Sequence, residues 1–193
     1  MRNDKITAAD LMNYEYDPRI VYFTRVLKLP QTKSAKQIKG LQKDFSFRKD
    51  TGRNKIVNKK RTYEPRLTKK YGVSLETEEF ATRADCIMIN EEKNEAYPLQ
   101  LKYAKKPKCG FYRTQKLQLL FEAMLTERVL KYKVPYGYIK YELSKDLIKV
   151  NLENRELLFE TIMKVREILE KEIYPEGTKY KKRFVDNCYK EMY

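Results

Sequence analysis

Histidine and tryptophan are absent from this 193-residue chain, and cysteine occurs only three times. Each absence excludes something. Without histidine there is no imidazole acid–base chemistry, no Ser–His nucleophile and no His-ligated zinc hydrolase. Cys86, Cys109 and Cys188 are odd in number and show no C-x-x-C spacing, which argues against a disulfide framework and against a zinc knuckle. No stretch approaches the roughly 18 consecutive apolar residues that suggest a membrane span. The opening MRNDKITAADLM lacks the apolar core of a signal peptide, so the expected compartment is the cytoplasm. Chemistry on this chain has to rest on carboxylates, amides, Lys, Tyr and a hard metal ion.

Negative charge is scarce too. The 27 acidic residues face 42 basic ones, a net charge of +15. An excess of that size favours a polyanionic partner, most often nucleic acid, the other reading being a basic proteome or a thermophile's Lys-rich surface. It is concentrated in residues 43–70, where eleven Lys/Arg stand against three Asp/Glu and Phe45, Phe47 and Tyr63 are interleaved. Basic side chains among aromatics suit a flexible nucleic-acid strand, through counterion release and base stacking. A solvated surface loop is the other reading of the same stretch. With 41% apolar and 36% charged residues, the chain fits one globular domain with a very polar surface.

Thr7 is placed to cap a helix over residues 8–14, with Asp10 adding negative charge to its first turn. Asp17-Pro18 restarts the helix, and Ile20, Phe23, Thr24 and Leu27 follow at i, i+3, i+4 and i+7. A further helix is expected over 34–47. Residues 71–80 read as a strand with Glu76 and Glu78 on one face and Glu79 on the other. A solvated edge is the plain reading of those three, metal binding the alternative. After a basic turn at 105–110, a helix over 111–131 buries Leu117, Leu120, Phe121, Met124, Leu125, Val129 and Leu130. Gln118 and Glu122, four apart, stack on one face of it. Residues 135–143 and 147–152 form a hairpin, and 154–172 a last helix carrying Leu157, Leu158, Ile162, Val165 and Ile168. This order predicts an α/β fold, a central mixed β-sheet flanked by helices.

The stretch these elements serve is 82–102, TRADCIMINEEKNEAYPLQLK. It reads as two strands joined by a polar turn, with Asp85 opening the first ahead of Cys86, Ile87, Met88 and Ile89. The second, 97–103, carries Gln100 and Lys102 two apart and therefore on one face. An Asp on one strand and a polar residue with a Lys on the next is one way to build a metal-dependent phosphodiesterase. The acid holds Mg²⁺ or Mn²⁺, and the Lys stabilises the developing phosphorane charge or orients the attacking water.

In these motifs the chain resembles the RecB-like branch of the PD-(D/E)xK nucleases, most of all the CRISPR-associated exonucleases of the fourth Cas family and their viral relatives. Five features carry the resemblance, in order over nearly the whole chain. They are the opening TAADLMNYEYDPRIVYFTRVLKLP, Asp85, Gln100-Leu101-Lys102 on the (D/E)-x-K motif, the helix QLLFEAMLTE from Gln118, and the strand GYIKYEL. The resemblance implies one nuclease domain with a restriction-endonuclease-like core. Residues 1–70 would be helical and basic, 71–152 the sheet core with its long helix, and 153–193 a C-terminal helix and basic tail. It implies a metal-dependent DNA nuclease acting on single strands or overhangs, in CRISPR adaptation or viral DNA processing, with a Cas integrase as protein partner. Lys55, Lys59, Lys60 and Arg61, with Lys105 and Lys106, would guide the strand.

The chain also departs from that family's pattern. Asp17 stands where the family has its first cluster cysteine, and of the C-terminal cysteines only Cys188 remains. An iron–sulfur cluster needs about four thiolates, so none is expected. Gln100 replaces the motif carboxylate, and Glu122 replaces a Tyr. An amide oxygen can ligate a hard cation but brings no charge. Asp85, Gln100 and Glu122 are therefore expected to form the metal site, with Lys102 as the transition-state cation and Gln118 orienting the Lys or the substrate. On the alternative reading Glu122 is an ordinary solvated helix residue, and the fold is a silent one that binds DNA or an integrase.

Overall fold

The structure, a computed structural model, describes residues 5–31, 67–180, 183, 189 and 192. The helix expected over 34–47 and most of the basic stretch lie outside the described residues.

Thr7 and Asp10 form the predicted cap. Both the backbone N–H and the hydroxyl of Thr7 donate to Asp10 Oδ2 at 2.8 Å, and helix α1 runs Ala8–Tyr16. Asp10 also takes Arg25 Nη1 at 2.6 Å, which ties the helix start to the segment that follows. Asp17 caps helix α2, Pro18–Val21, through Arg19 N–H, and Pro18 occupies its first turn. The chain then widens into a π-helical turn, Tyr22–Val26. Ile20 and Phe23 are buried with Tyr189, as the helical spacing predicts, but Leu27 is exposed because the wider turn carries it off that stripe.

Six described strands form one mixed sheet: β1 Ile6–Thr7, β2 Thr68–Glu76, β3 Phe80–Asn90, β4 Glu95–Lys102, β5 Tyr136–Tyr141 and β6 Asp146–Asn151. Strand β3 is the hub. It pairs antiparallel with β2 on one edge in two runs, Thr68–Tyr71 against Cys86–Ile89 and Val73–Glu76 against Ala81–Ala84. The other edge is shared by two strands. Parallel β1 lies beside Phe80 and Ala81, and antiparallel β4 beside Cys86 to Asn90. Between them, at residues 82–85, no described strand pairs with that edge. Beyond β4 the sheet continues with parallel β5 and antiparallel β6.

Three sequence readings need correction. The sheet reaches outside 71–152, because Ile6–Thr7 pairs with β3 and β2 begins at Thr68. Residues 71–80 are not one strand: β2 stops at Glu76, the chain turns, and Phe80 opens β3. Glu76 and Glu78 consequently share no strand face. Asp85 lies in the middle of its strand rather than at the start.

Helix α3, Arg113–Leu130, crosses the sheet, while α4, Glu156–Lys171, lies further out. Leu117, Leu119, Leu120, Phe121, Ala123, Met124 and Leu125 of α3 are all buried, so this helix is enclosed on most sides rather than along one stripe. Val129 is exposed, contrary to the predicted stripe, because the last turn runs past the sheet. The close approach of α3 depends on Gly137. A Cβ there would sit 2.9 Å from Pro98 O and 3.1 Å from both Leu119 Cδ2 and Leu152 Cδ1. Gly137→Ala is expected to destabilise the protein by roughly 1–3 kcal/mol, as overpacking does, with a matching fall in the urea midpoint.

Candidate active site

Polar residues on a helix enclosed this fully need a reason, and α3 carries two of them on one face. Gln118 Nε2 donates to Glu122 Oε1 at 2.8 Å, as the four-residue spacing predicts. Gln118 Oε1 accepts from Lys102 Nζ at 2.8 Å. One amide thus bridges the sheet lysine to the helix carboxylate. Lys102 is half-buried, its ammonium turned inward to the helix.

Asp85 lies in the 82–85 stretch of β3, where no described strand lies along the edge shared by β1 and β4. The β3–β4 ladder ends at Cys86↔Leu99, and one step further Asp85 faces Gln100 across the divergence. There the carboxylate takes over the ladder's work, since Leu101 N–H donates to Asp85 Oδ2 at 3.0 Å. Gln100 is fully buried, and its Nε2 reaches Gln115 O on α3 at 3.4 Å. The structure therefore brings together all five residues singled out on the sheet and the long helix: Asp85, Gln100, Lys102, Gln118 and Glu122.

Glu122 is wholly inaccessible to solvent, which rules out the solvated helix residue of the alternative reading. Its pKa is pushed up to about 8, first by burial and then by the negative charge of Asp85. Contacts from Gln118, Lys102 and Gln100 work the other way, favouring the charged form. The Lys102 pKa is lowered by burial, a shift that Asp85 and Glu122 oppose. Two carboxylates and one ammonium share a dry space, and each group's charge depends on the others.

Two oxygens in this space lack any described hydrogen-bond partner. Gln100 Oε1 and Glu122 Oε2 are both buried and both unsatisfied. An unpaired buried acceptor costs on the order of 1–3 kcal/mol, and this pair is satisfied either by a proton on Glu122 shared with Gln100 or by a cation between them. Hard divalent cations take oxygen ligands of this kind, and the donor set fits Mg²⁺ or Mn²⁺ better than a soft metal. No group of three His, Cys, Asp or Glu side chains suited to a metal occurs among the described residues. The oxygen donors that could hold a cation here are the carboxylates of Asp85 and Glu122 and the amide of Gln100.

Sequence reasoning missed Gln115 and Tyr141. Gln115 gives its carbonyl to Gln100, and its side-chain Oε1 accepts from Tyr141 Oη at 2.6 Å and from Tyr112 N–H at 2.9 Å. Its place one turn before Gln118 was the available signal. Tyr141 stands beside Lys102 in the β4–β5 register, which only the pairing reveals.

The remaining predicted residues fall elsewhere. Lys105 and Lys106 are exposed on the loop after β4, where Lys106 Nζ pairs with Asp146 at 3.2 Å. Lys55, Lys59, Lys60 and Arg61 lie outside the described residues. The acidic cluster upstream belongs to the β2–β3 turn. Glu76 pairs there with Lys5 and Glu79 with Arg166, several residues along β3 from Asp85. Glu78 and Glu79 line a cavity of about 780 Å³ that contains none of the five site residues. Its acidic and basic residues are equal in number, so it offers no field of one sign.

No protein-family model and no curated protein matches this sequence. Among solved structures, the crystal structure of SSO0001 is similar to the chain, with a TM-score of 0.59 and 12% sequence identity. The match covers 100% of this chain and 87% of that one. At that identity the likeness establishes the fold alone. It places the α/β sheet architecture among known ones and says nothing about chemistry. No described helix is long and apolar enough to cross a membrane.

Proposed function

We propose that the chain is a divalent-metal-dependent deoxyribonuclease of the RecB-like PD-(D/E)xK kind, acting on single-stranded DNA or overhangs. The observation that carries this reading is the pair of unsatisfied buried oxygens, Gln100 Oε1 and Glu122 Oε2, set beside Asp85 and Lys102. The residues to hold Mg²⁺ or Mn²⁺ are Asp85, Gln100 and Glu122. A cation bound there supplies positive charge that acidifies water and offsets charge on phosphate oxygens.

The protein's own groups do the rest. Lys102 presents a cation whose position Gln118 fixes, and in a dry site such a charge stabilises a phosphorane far better than it would in water. Asp85 holds β4 in place through Leu101 N–H, so Gln100 and Lys102 stay aimed at the helix. The exposed lysines of the 105–108 loop draw the polyanionic strand towards the end of β4. The resemblance that suggests CRISPR adaptation or viral DNA processing suggests a Cas integrase as partner as well.

A second reading has one observation in its favour. Among the described residues only two carboxylates converge, and the third member of the set is an amide. On that reading the fold binds DNA, or an integrase, without cutting. End-labelled single-stranded DNA incubated with Mn²⁺ separates the two. The nuclease reading predicts cleavage by the wild type and none by Asp85→Ala, with circular dichroism showing both folded. Binding without cleavage in the wild type would leave only the second reading.

A further inference from the structure

We propose that Tyr112 is a base-stacking platform at the mouth of this site, and that it makes single-stranded nucleic acid the preferred substrate. Tyr112 is 57% exposed, one of several exposed aromatics among the described residues, and it is the one that adjoins Gln115 of the site. It is the N-cap of α3, bonded through its backbone to Gln115 in the first turn. From Gln115 the intervals to Gln118 and Glu122 are three and four residues, the spacing of one helical stripe. That stripe leads from the residue holding Tyr112 to the buried carboxyl of Glu122, one of whose oxygens has no hydrogen-bond partner among the described residues.

The backbone beneath the ring is fixed. Tyr112 N–H donates to Gln115 Oε1 at 2.9 Å, and Tyr112 O accepts from Gln115 N–H at 3.0 Å. Gln115 is held in turn by Tyr141 Oη and by Gln100 Nε2. The exposed aromatic is therefore locked to the same residue that positions Gln100. An exposed ring with its backbone already ordered loses little entropy when a base stacks on it.

The charge around it suits a strand. From Tyr103 to Lys116 the sequence has Lys105, Lys106, Lys108, Arg113 and Lys116 and no acidic residue. Lys106 and Arg113 are engaged, by Asp146 and Glu15, while Lys105 and Lys108 form no ion pair among the described residues. Exposed aromatic and spare cations together are the elements of a single-strand track: phosphates on the lysines, a base on the ring. Duplex bases are already stacked on each other and offer no open face, so the ring discriminates against them.

The inference takes its location from the nuclease reading, yet stacking needs no metal and is tested without one. In EDTA, the anisotropy of a labelled single-stranded oligonucleotide reports binding. Tyr112→Ala is expected to weaken it roughly 5- to 150-fold, the loss of one stacked base, while Tyr112→Phe binds as the wild type. The slope of log affinity against log salt stays unchanged in Tyr112→Ala, whereas Lys105→Ala with Lys108→Ala flattens it. Duplex affinity is unaffected by Tyr112→Ala. An abasic nucleotide walked along the strand finds one position that costs the wild type as much as Tyr112→Ala and costs that variant nothing.

Unchanged single-strand affinity in Tyr112→Ala, or equal losses on single strand and duplex, overturns the proposal. Cleavage in Mn²⁺ is scored separately. Tyr112-dependent binding without cutting contradicts the nuclease reading alone, and cutting with no Tyr112 effect on binding contradicts the stacking platform alone.

Discussion

Lys102→Ala is expected to lower Mn²⁺-dependent strand cleavage by on the order of 10²–10³-fold without weakening strand binding. The ammonium lies on the inner face of the sheet, bound to Gln118, with Asp85 and Glu122 both favouring its charged form. A cation held in a dry site is of most use where negative charge develops, so its loss should fall on kcat rather than KM. Lys102→Met keeps the length and apolar stem of the side chain and should be as inactive as the alanine variant. Lys102→Arg should recover little, because the planar guanidinium cannot occupy the point position that one Gln118 oxygen defines. Single-turnover rates with end-labelled DNA measure all three.

Glu122→Gln is expected to act twice, in opposite directions. Activity should fall to the level of the Lys102 variants, because Glu122 supplies the carboxylate that position 100 lacks. Stability without metal should rise, and only at higher pH. Burial and Asp85 hold the folded-state pKa of Glu122 at about 8, above its ordinary 4.5. The folded protein thus keeps a proton that the unfolded chain releases. That contribution is fully present below about pH 4.5 and is lost as pH rises through 8. Glutamine removes the loss. In metal-free buffer Glu122→Gln should match the wild type near pH 5 and exceed it near pH 9 by on the order of a few kcal/mol. Lys102 and Glu122 each shift the other's titration, so the difference reports the coupled pair. Urea unfolding at the two pH values checks the sign.

Most of the framework was legible because its signals are local. Thr7 with Asp10, and Asp17 with Pro18, are cap chemistry confined to a few residues, and both helix starts fell where expected. Gln118 and Glu122 needed only the helical repeat. Leu158, Ile162, Val165 and Ile168 followed from amphipathic spacing. What the sequence could not show is what pairing decides. The gap between β1 and β4 beside residues 82–85, where Asp85 sits, exists because those two described strands share one edge of β3. Nothing in the local pattern says so. The β2–β3 turn was missed because Thr77 to Glu79 carry no Gly or Pro, and Phe80 continued the apolar alternation. Gln115 was overlooked because its contribution is a carbonyl and a capping amide rather than a charge. The burial of Glu122 is the sharpest gain. The sequence left open whether it was solvated, and the enclosure of α3 on most sides answers that.

The central claim is that Glu122 restores at this site the charge that Gln100 does not carry. Mn²⁺ titration followed by electron paramagnetic resonance, on the wild type, Glu122→Gln and Gln100→Glu, tests it most directly. The account predicts one bound Mn²⁺ per wild-type chain, loss of that binding in Glu122→Gln, and tighter binding in Gln100→Glu, where a third carboxylate joins the set. Undiminished Mn²⁺ binding by Glu122→Gln, with cleavage intact, would contradict it.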